Sequence, residues 1–188
     1  MTDLYSKNDI SDPLNIRLTN PNLKPSFNNN ISATFNTYFT ETLRSFNANF
    51  SYSNTINSTT RIVTYDENTG GRTTQPTNVN GNWRINGSFT FSTPLSNKKF
   101  TVNTYTNANY GNSVGFTVLN KESDAVKSNT TNLFLSERLK GNYRSDLIDC
   151  ELSAGIRYQK SEHSIKKDNQ RETFDYTFGV EANLNLPW

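Results

Sequence analysis

Apolar residues recur at every second position through most of the chain, which is the period of a strand with one wet face and not the 3.6-residue period of a helix. Between Val79 and Phe91, the residues Val79, Gly81, Trp83, Ile85, Gly87, Phe89 and Phe91 share one face; Asn80, Asn82, Arg84, Asn86, Ser88 and Thr90 take the other. The last segment repeats the rule, with Phe174, Tyr176, Phe178, Val180, Ala182, Leu184 and Leu186 opposing Asp175, Thr177, Gly179, Glu181, Asn183 and Asn185. Shorter sets begin at Ile31, Phe46, Phe100, Leu133 and Cys150. Strands are therefore expected near 29–41, 44–65, 72–93, 99–119, 127–143, 148–162 and 171–186, with no helix. The predicted fold is all-β, a long antiparallel meander of about seven to eight strands.

The connections fall into two kinds. Residues 41–44, 94–99 and 143–147 are short turns beside apolar positions; 66–72, 120–125 and 163–170 are polar, charged loops. Strands in soluble proteins run about five or six residues, and these run roughly two to three times that. A membrane-crossing strand needs about 9–11 residues, with lipid-facing and lumen-facing side chains alternating, short turns at one end and longer loops at the other. The pattern meets each condition, so the meander is expected to form part of a transmembrane β-barrel. The mean hydropathy of −0.75 is compatible with this, because half of every such strand is polar.

Charge sharpens the expectation. The apolar parity carries no charge from Val79 to Phe91, from Phe100 to Ala108 or from Phe174 to Leu186. Glu137, between Leu135 and Leu139, is the exception, and it is expected to lie near a membrane interface or beyond a β-bulge. The competing architecture is a soluble or surface-attached β-rich binding module, adhesin-like, whose apolar face would pack inside a sandwich.

Composition adds less. Asn, Thr and Ser carry the polarity in a chain with only 19% charged residues and a formal charge of +2, and no basic cluster exceeds a lysine pair, so no nucleic-acid partner is expected. One cysteine, Cys150, excludes an internal disulfide, and one histidine, His163, in a predicted loop, argues against a metal site; no cofactor is expected. "GNSVG" at 111–115 fits the G-x-S-x-G nucleophile elbow, and Asp124, Asp146, Asp149 and His163 follow Ser113. The elbow requires a strand-to-helix turn, whereas the alternation here continues through 116–119, so no catalytic residue is expected and the chain is not read as an enzyme. The aromatics Tyr38, Phe39, Phe46, Phe91, Phe100 and Trp188 are candidates for an interfacial girdle. Tyr65, Tyr105 and Tyr110 are candidate ligand-facing aromatics near the polar loops.

The stretch "NPNLKP" at 20–25 makes a stiff, extended lead-in to the first long strand, because the residue before a proline is driven to extended geometry. With Asn20, Pro21, Leu23, Lys24 and Pro25 in the characteristic places, it resembles the motif preceding a late barrel strand in TonB-dependent outer-membrane receptors, particularly the Bacteroidetes-type outer-membrane β-barrel family. The similarity extends over the chain, through "FTFSTPLSNKKFTVN" and "LNLPW". Thr19 departs from a frequent glycine and Ser26 from a frequent acidic residue, and neither touches strand pairing. The resemblance implies a cell outer-membrane location and the barrel portion of a nutrient-uptake receptor. It further implies lipid around the wall, the receptor's own plug domain and TonB as partners, and in some cases a surface lipoprotein. Residues 1–188 are then one barrel segment, with 1–28 as loop and lead-in, 29–188 as strands and the plug absent. Because bacterial single-chain barrels have an even number of strands, seven strands imply a fragment.

Overall fold

A computed structural model describes residues 8–95, 99–118, 125–165 and 170–185. Ten strands follow one another: β1 (Asn15–Arg17), β2 (Phe27–Phe39), β3 (Arg44–Ile56), β4 (Ser58–Tyr65), β5 (Arg72–Val79), β6 (Asn82–Pro94), β7 (Phe100–Thr117), β8 (Val126–Arg144), β9 (Ile148–His163) and β10 (Arg171–Leu184). Seven of them form one antiparallel wall in the order β10-β9-β8-β7-β6-β3-β2, and β1-β5-β4 form a small second sheet. The described residues contain no helix.

The expected strand spans are met with two differences. Each of the segments expected at 44–65 and 72–93 is broken, at Asn57 and at Asn80–Gly81. Asn57 has φ 53° and Gly81 φ 115°, so the backbone turns out of the wall at these points. Pairing nevertheless continues through the bend: Thr55 faces Asn82 below it and Ser58 faces Val79 above it, which is one register. The hairpin β3-β4-β5-β6 is thus a single long hairpin whose outer half leaves the wall. β1, which carries no alternating pattern, pairs in parallel with the outer half through β5.

Register keeps every apolar parity on one side of the wall. Phe35, Ala48, Phe89, Thr106, Glu137, Ile156 and Tyr176 stand in one row across all seven strands. The rows are not level with the strand ends. Thr37 stands two residues from the end of β2, while Phe178, in the same row, stands six from the end of β10. This stagger is the shear that accompanies strand tilt in a barrel wall.

None of the described residues packs against the apolar face as a second layer. Among the described residues the buried hydrophobics are Leu23, Val79 and Val114, whereas Phe178 is 83% exposed and Val180 80%. A sandwich would bury such a face at about 10 Å from a second sheet, and the described residues supply none, so the soluble-module alternative lacks its core. Among the described residues no helix is long and apolar enough to cross a membrane.

Candidate functional site

The polar face of the wall is the candidate site. On its β2–β7 side, amides and hydroxyls bond one another across strands. The Thr34 hydroxyl donates to Asn49 Oδ1 (2.9 Å), the Asn49 amide to Ser88 Oγ (3.4 Å) and the Asn86 amide to Ser51 Oγ (3.0 Å), while Asn109 donates to Asn86. On the β8–β10 side charge takes over. Arg138, Lys140, Arg157 and Asp175 line a groove of about 540 Å³ with Tyr105 and Asn107. Lys140 Nζ reaches Glu151 Oε1 at 2.6 Å. Gly155 lies between Arg138 and Thr177, and its missing Cβ leaves the groove floor low: a methyl there would come within 2.6 Å of the Thr177 hydroxyl.

The opening motif shapes the rim above this face. The Asn20 side chain accepts the Asn22 N–H (3.0 Å) and donates to the Pro76 carbonyl (3.0 Å), while Leu18 N–H reaches Thr74 O at 2.9 Å. Leu23 is buried. Lys24 is gripped at both backbone groups by Asn78, whose Oδ1 accepts the Lys24 N–H (2.7 Å) and whose amide donates to the Lys24 carbonyl (3.0 Å). The same amide reaches the Asn57 carbonyl at 2.8 Å, and the Asn57 amide reaches the Pro25 carbonyl at 3.4 Å. The strap 14–25 therefore runs beside β5, crosses the hairpin at its bend and delivers the chain to β2 beside β3. The lead-in expected to be extended instead turns at Asn20–Leu23, where the Leu23 N–H reaches Asn20 O at 3.3 Å around Pro21 and Asn22, and asparagine side chains satisfy the backbone groups that no strand neighbour pairs.

Other expected site residues scatter. Tyr65 ends β4 at the outer hairpin; Tyr105 is in the lower half of β7 on the polar face, opposite Arg138; Tyr110 is on the apolar face, edge-on to Trp83 with ring centroids 5.1 Å apart. They form no common patch, and only Tyr65 lies at a polar loop. Of the girdle candidates, Phe39, Phe46, Phe91 and Phe100 have the apolar parity, with Phe100 packed on Tyr143 (4.6 Å), but Tyr38 has the polar parity. Trp188 and Asp124 lie outside the described residues, as do 120–124 of the expected loop 120–125 and 166–169 of the expected loop 163–170.

Glu137 corrects its expectation. Pairing of β8 with β7 and β9 runs through it without a bulge, and Leu133, Leu135 and Leu139 flank it on the apolar face, in the row of Ile156. Thr106 donates its hydroxyl to the Glu137 carboxylate, and the Thr104 hydroxyl one position along is buried without a partner. Sequence reasoning singled out Glu137 but missed Thr106 and Thr104 beside it, because parity was read strand by strand and Thr counts weakly for either face.

His163 closes β9 and is not in a loop. Its Nδ1 lies 2.9 Å from the Thr130 hydroxyl, and Ser113 Oγ donates to the Thr130 carbonyl at 3.4 Å. Ser113 and His163 are thus held one strand apart, and β7 continues as strand on both sides of Ser113. No cluster able to hold a metal ion occurs among the described residues.

A tilted antiparallel wall with a bare apolar face about eleven residues tall on β9, from Ile148 to Tyr158, with short turns gathered at one end, defines an outer-membrane β-barrel protein. The model of the outer membrane protein beta-barrel family matches residues 1–184, and the chain belongs to that family. Its place is the outer membrane. No curated protein and no solved structure matches the chain.

Proposed function

We propose that this wall belongs to a TonB-dependent receptor that imports a nutrient across the outer membrane. The observation that carries the reading is the strap: the "NPNLKP" segment, in the form found in that receptor class, sits at the outer rim and fixes a bent surface hairpin above a polar wall. In this reading the short turns 40–43 and 145–147 are periplasmic and the outer hairpin is extracellular. The polar face, with Arg84, Asn103, Arg157 and Glu181, lines the lumen against the receptor's own plug, and TonB supplies the energy. Lipid surrounds the apolar face, and some receptors of this class carry a surface lipoprotein as a further partner. The wall does no chemistry and needs no cofactor.

The test is energised uptake. Cells with and without the gene are given radiolabelled cobalamin, a ferric siderophore or an oligosaccharide, each with and without a protonophore. Loss of one protonophore-sensitive uptake with the gene supports import. Unchanged uptake of all three, together with an open ion conductance of the purified protein in planar bilayers, contradicts it and makes the protein a passive pore.

A further inference from the structure

Charge on the polar face is gathered at one place. Along β2, β3, β6 and β7 the polar parity of the described residues carries a single charge, Arg84. Across β8, β9 and β10 two neighbouring rows are different. One sets Tyr105, Arg138, Gly155 and Thr177 side by side, and the next sets Arg157 directly against Asp175.

Neither arginine of these rows has a partner. Lys140 is paired with Glu151 and Arg144 with Asp149, whereas Arg138 and Arg157 make no ion pair and no side-chain hydrogen bond among the described residues, although Asp175 stands opposite Arg157. The two guanidiniums come from diagonal positions on adjacent strands, about 7–8 Å apart at Cα, and repel unless an anion stands between them. The floor between them is open. A Cβ on Gly155 would come within 2.6 Å of the Thr177 hydroxyl and 3.9 Å of Arg138 Nε, so with glycine there both groups border one hollow, and Arg157 borders it two residues along the strand. The groove around the hollow, about 540 Å³, is of the size that holds a small ligand.

We infer that this hollow binds an oxyanion, the carboxylate or phosphate group of a small solute on the polar side of the wall. A guanidinium offers two parallel N–H donors to such a group, and Arg138 and Arg157 present two forks to it, with the Thr177 hydroxyl as a further donor and the Tyr105 ring beside Arg138. With Lys140 taken by Glu151 and Asp175 set against Arg157, the groove keeps one positive charge in excess. Glu137 does not cancel it, because its carboxylate is turned to Thr106 on the opposite face. Gly155 lies midway along β9, so a solute crossing beside the wall meets the hollow at mid-depth. The inference rests on the import reading and deepens it by naming the charge of the solute.

The experiment is equilibrium dialysis of the protein, purified from outer membrane in detergent, against labelled inorganic phosphate and labelled citrate. The expected result is saturable binding of at least one probe, weakened about ten-fold or more in Arg138→Gln and in Arg157→Gln and unchanged in Arg144→Gln, whose partner Asp149 lies outside the groove lining. A second measurement needs no variant. Phenylglyoxal should modify Arg138 and Arg157 of the unaltered protein, and the bound probe should slow that reaction at both while leaving Arg144 as reactive as before. Binding of neither probe, binding as strong in both glutamine variants as in the parent, or arginines that the probe does not protect would overturn the inference. Binding is read without uptake, so the two failures separate: energised uptake without binding removes this site alone, and binding without energised uptake removes the import reading alone.

Discussion

Asn78 holds Lys24 by both of its backbone groups, at 2.7 Å and 3.0 Å, across a sequence separation of 54 residues. One side-chain amide on β5 thereby stands in for a strand neighbour and ties the strap to the bend. Asn78→Ala removes three hydrogen bonds at once and is expected to cost about 1–2 kcal/mol of local stability. Protease added to intact cells should cut the strap and outer hairpin faster in the variant, while the wall stays folded. An unchanged cutting rate would mean that buried Leu23 and the remaining bonds, among them Asn20 to Pro76 and Leu18 to Thr74, hold the strap without Asn78.

Glu137 and Thr106 form a polar pair where hydrocarbon is expected. A lysine on the lipid face near mid-bilayer costs roughly 2–4 kcal/mol, so Glu137→Lys should lower the urea midpoint for folding into lipid vesicles by an amount of that order. Glu137→Leu should leave it unchanged or raise it. A marked loss of stability with leucine would show that the carboxylate supports the wall through Thr106.

The two glycines of "GNSVG" are not equivalent. A Cβ on Gly111 would meet the Trp83 carbonyl at 2.9 Å, whereas nothing lies within 4 Å of one on Gly115. Gly111 lets β6 and β7 approach just below the bend, where Asn82 and Asn112 side chains extend the ladder: Val114 N–H reaches Asn82 Oδ1 at 2.6 Å, and the Asn112 amide reaches Gly81 O at 2.8 Å. Gly111→Ala is expected to destabilise by about 1–3 kcal/mol and Gly115→Ala by less than about 0.5 kcal/mol. Equal effects in vesicle refolding would remove the close approach from the account.

Much of the fold was legible because alternation registers directly in residue type. The ends of β7, β8, β9 and β10 fall within two residues of those expected. The bend was not legible, because register runs through it unchanged: Asn57 and Gly81 differ from their neighbours only in φ, and Asn reads as ordinary polar strand in so Asn-rich a chain. The strap could be read as stiff from Pro21 and Pro25, though not as turning at Asn20–Leu23. Its partners Asn57 and Asn78 could not, because side-chain bonds across more than 30 residues leave no local periodicity.

Acid should loosen the outer hairpin. Asp66 accepts the N–H groups of Asn68 (2.8 Å) and Thr69 (3.3 Å), and these bonds hold its carboxyl below the ordinary value of 3.8. A carboxyl depressed in the folded form stabilises it above the unfolded value, and that contribution is lost as pH falls through the folded one. Amide exchange at Asn68 and Thr69, corrected for its intrinsic pH dependence, should therefore show protection that fades as pH drops below about 3.8. Protection insensitive to acid would assign the order of 66–71 to its backbone bonds, among them Gly70 N–H to Asp66 O at 2.8 Å.

The central claim is that the bare apolar face meets lipid and the opposite face meets water. It is tested most directly by nitroxide labels placed one at a time along 174–182 of β10, in a Cys150→Ser background, in outer-membrane vesicles. The account expects collision with oxygen to dominate at Phe174, Tyr176, Phe178, Val180 and Ala182, and collision with a water-soluble nickel chelate to dominate at Asp175, Thr177, Gly179 and Glu181. Labels at the first set shielded from both reagents, as inside a packed sandwich, or open to the chelate, would contradict it.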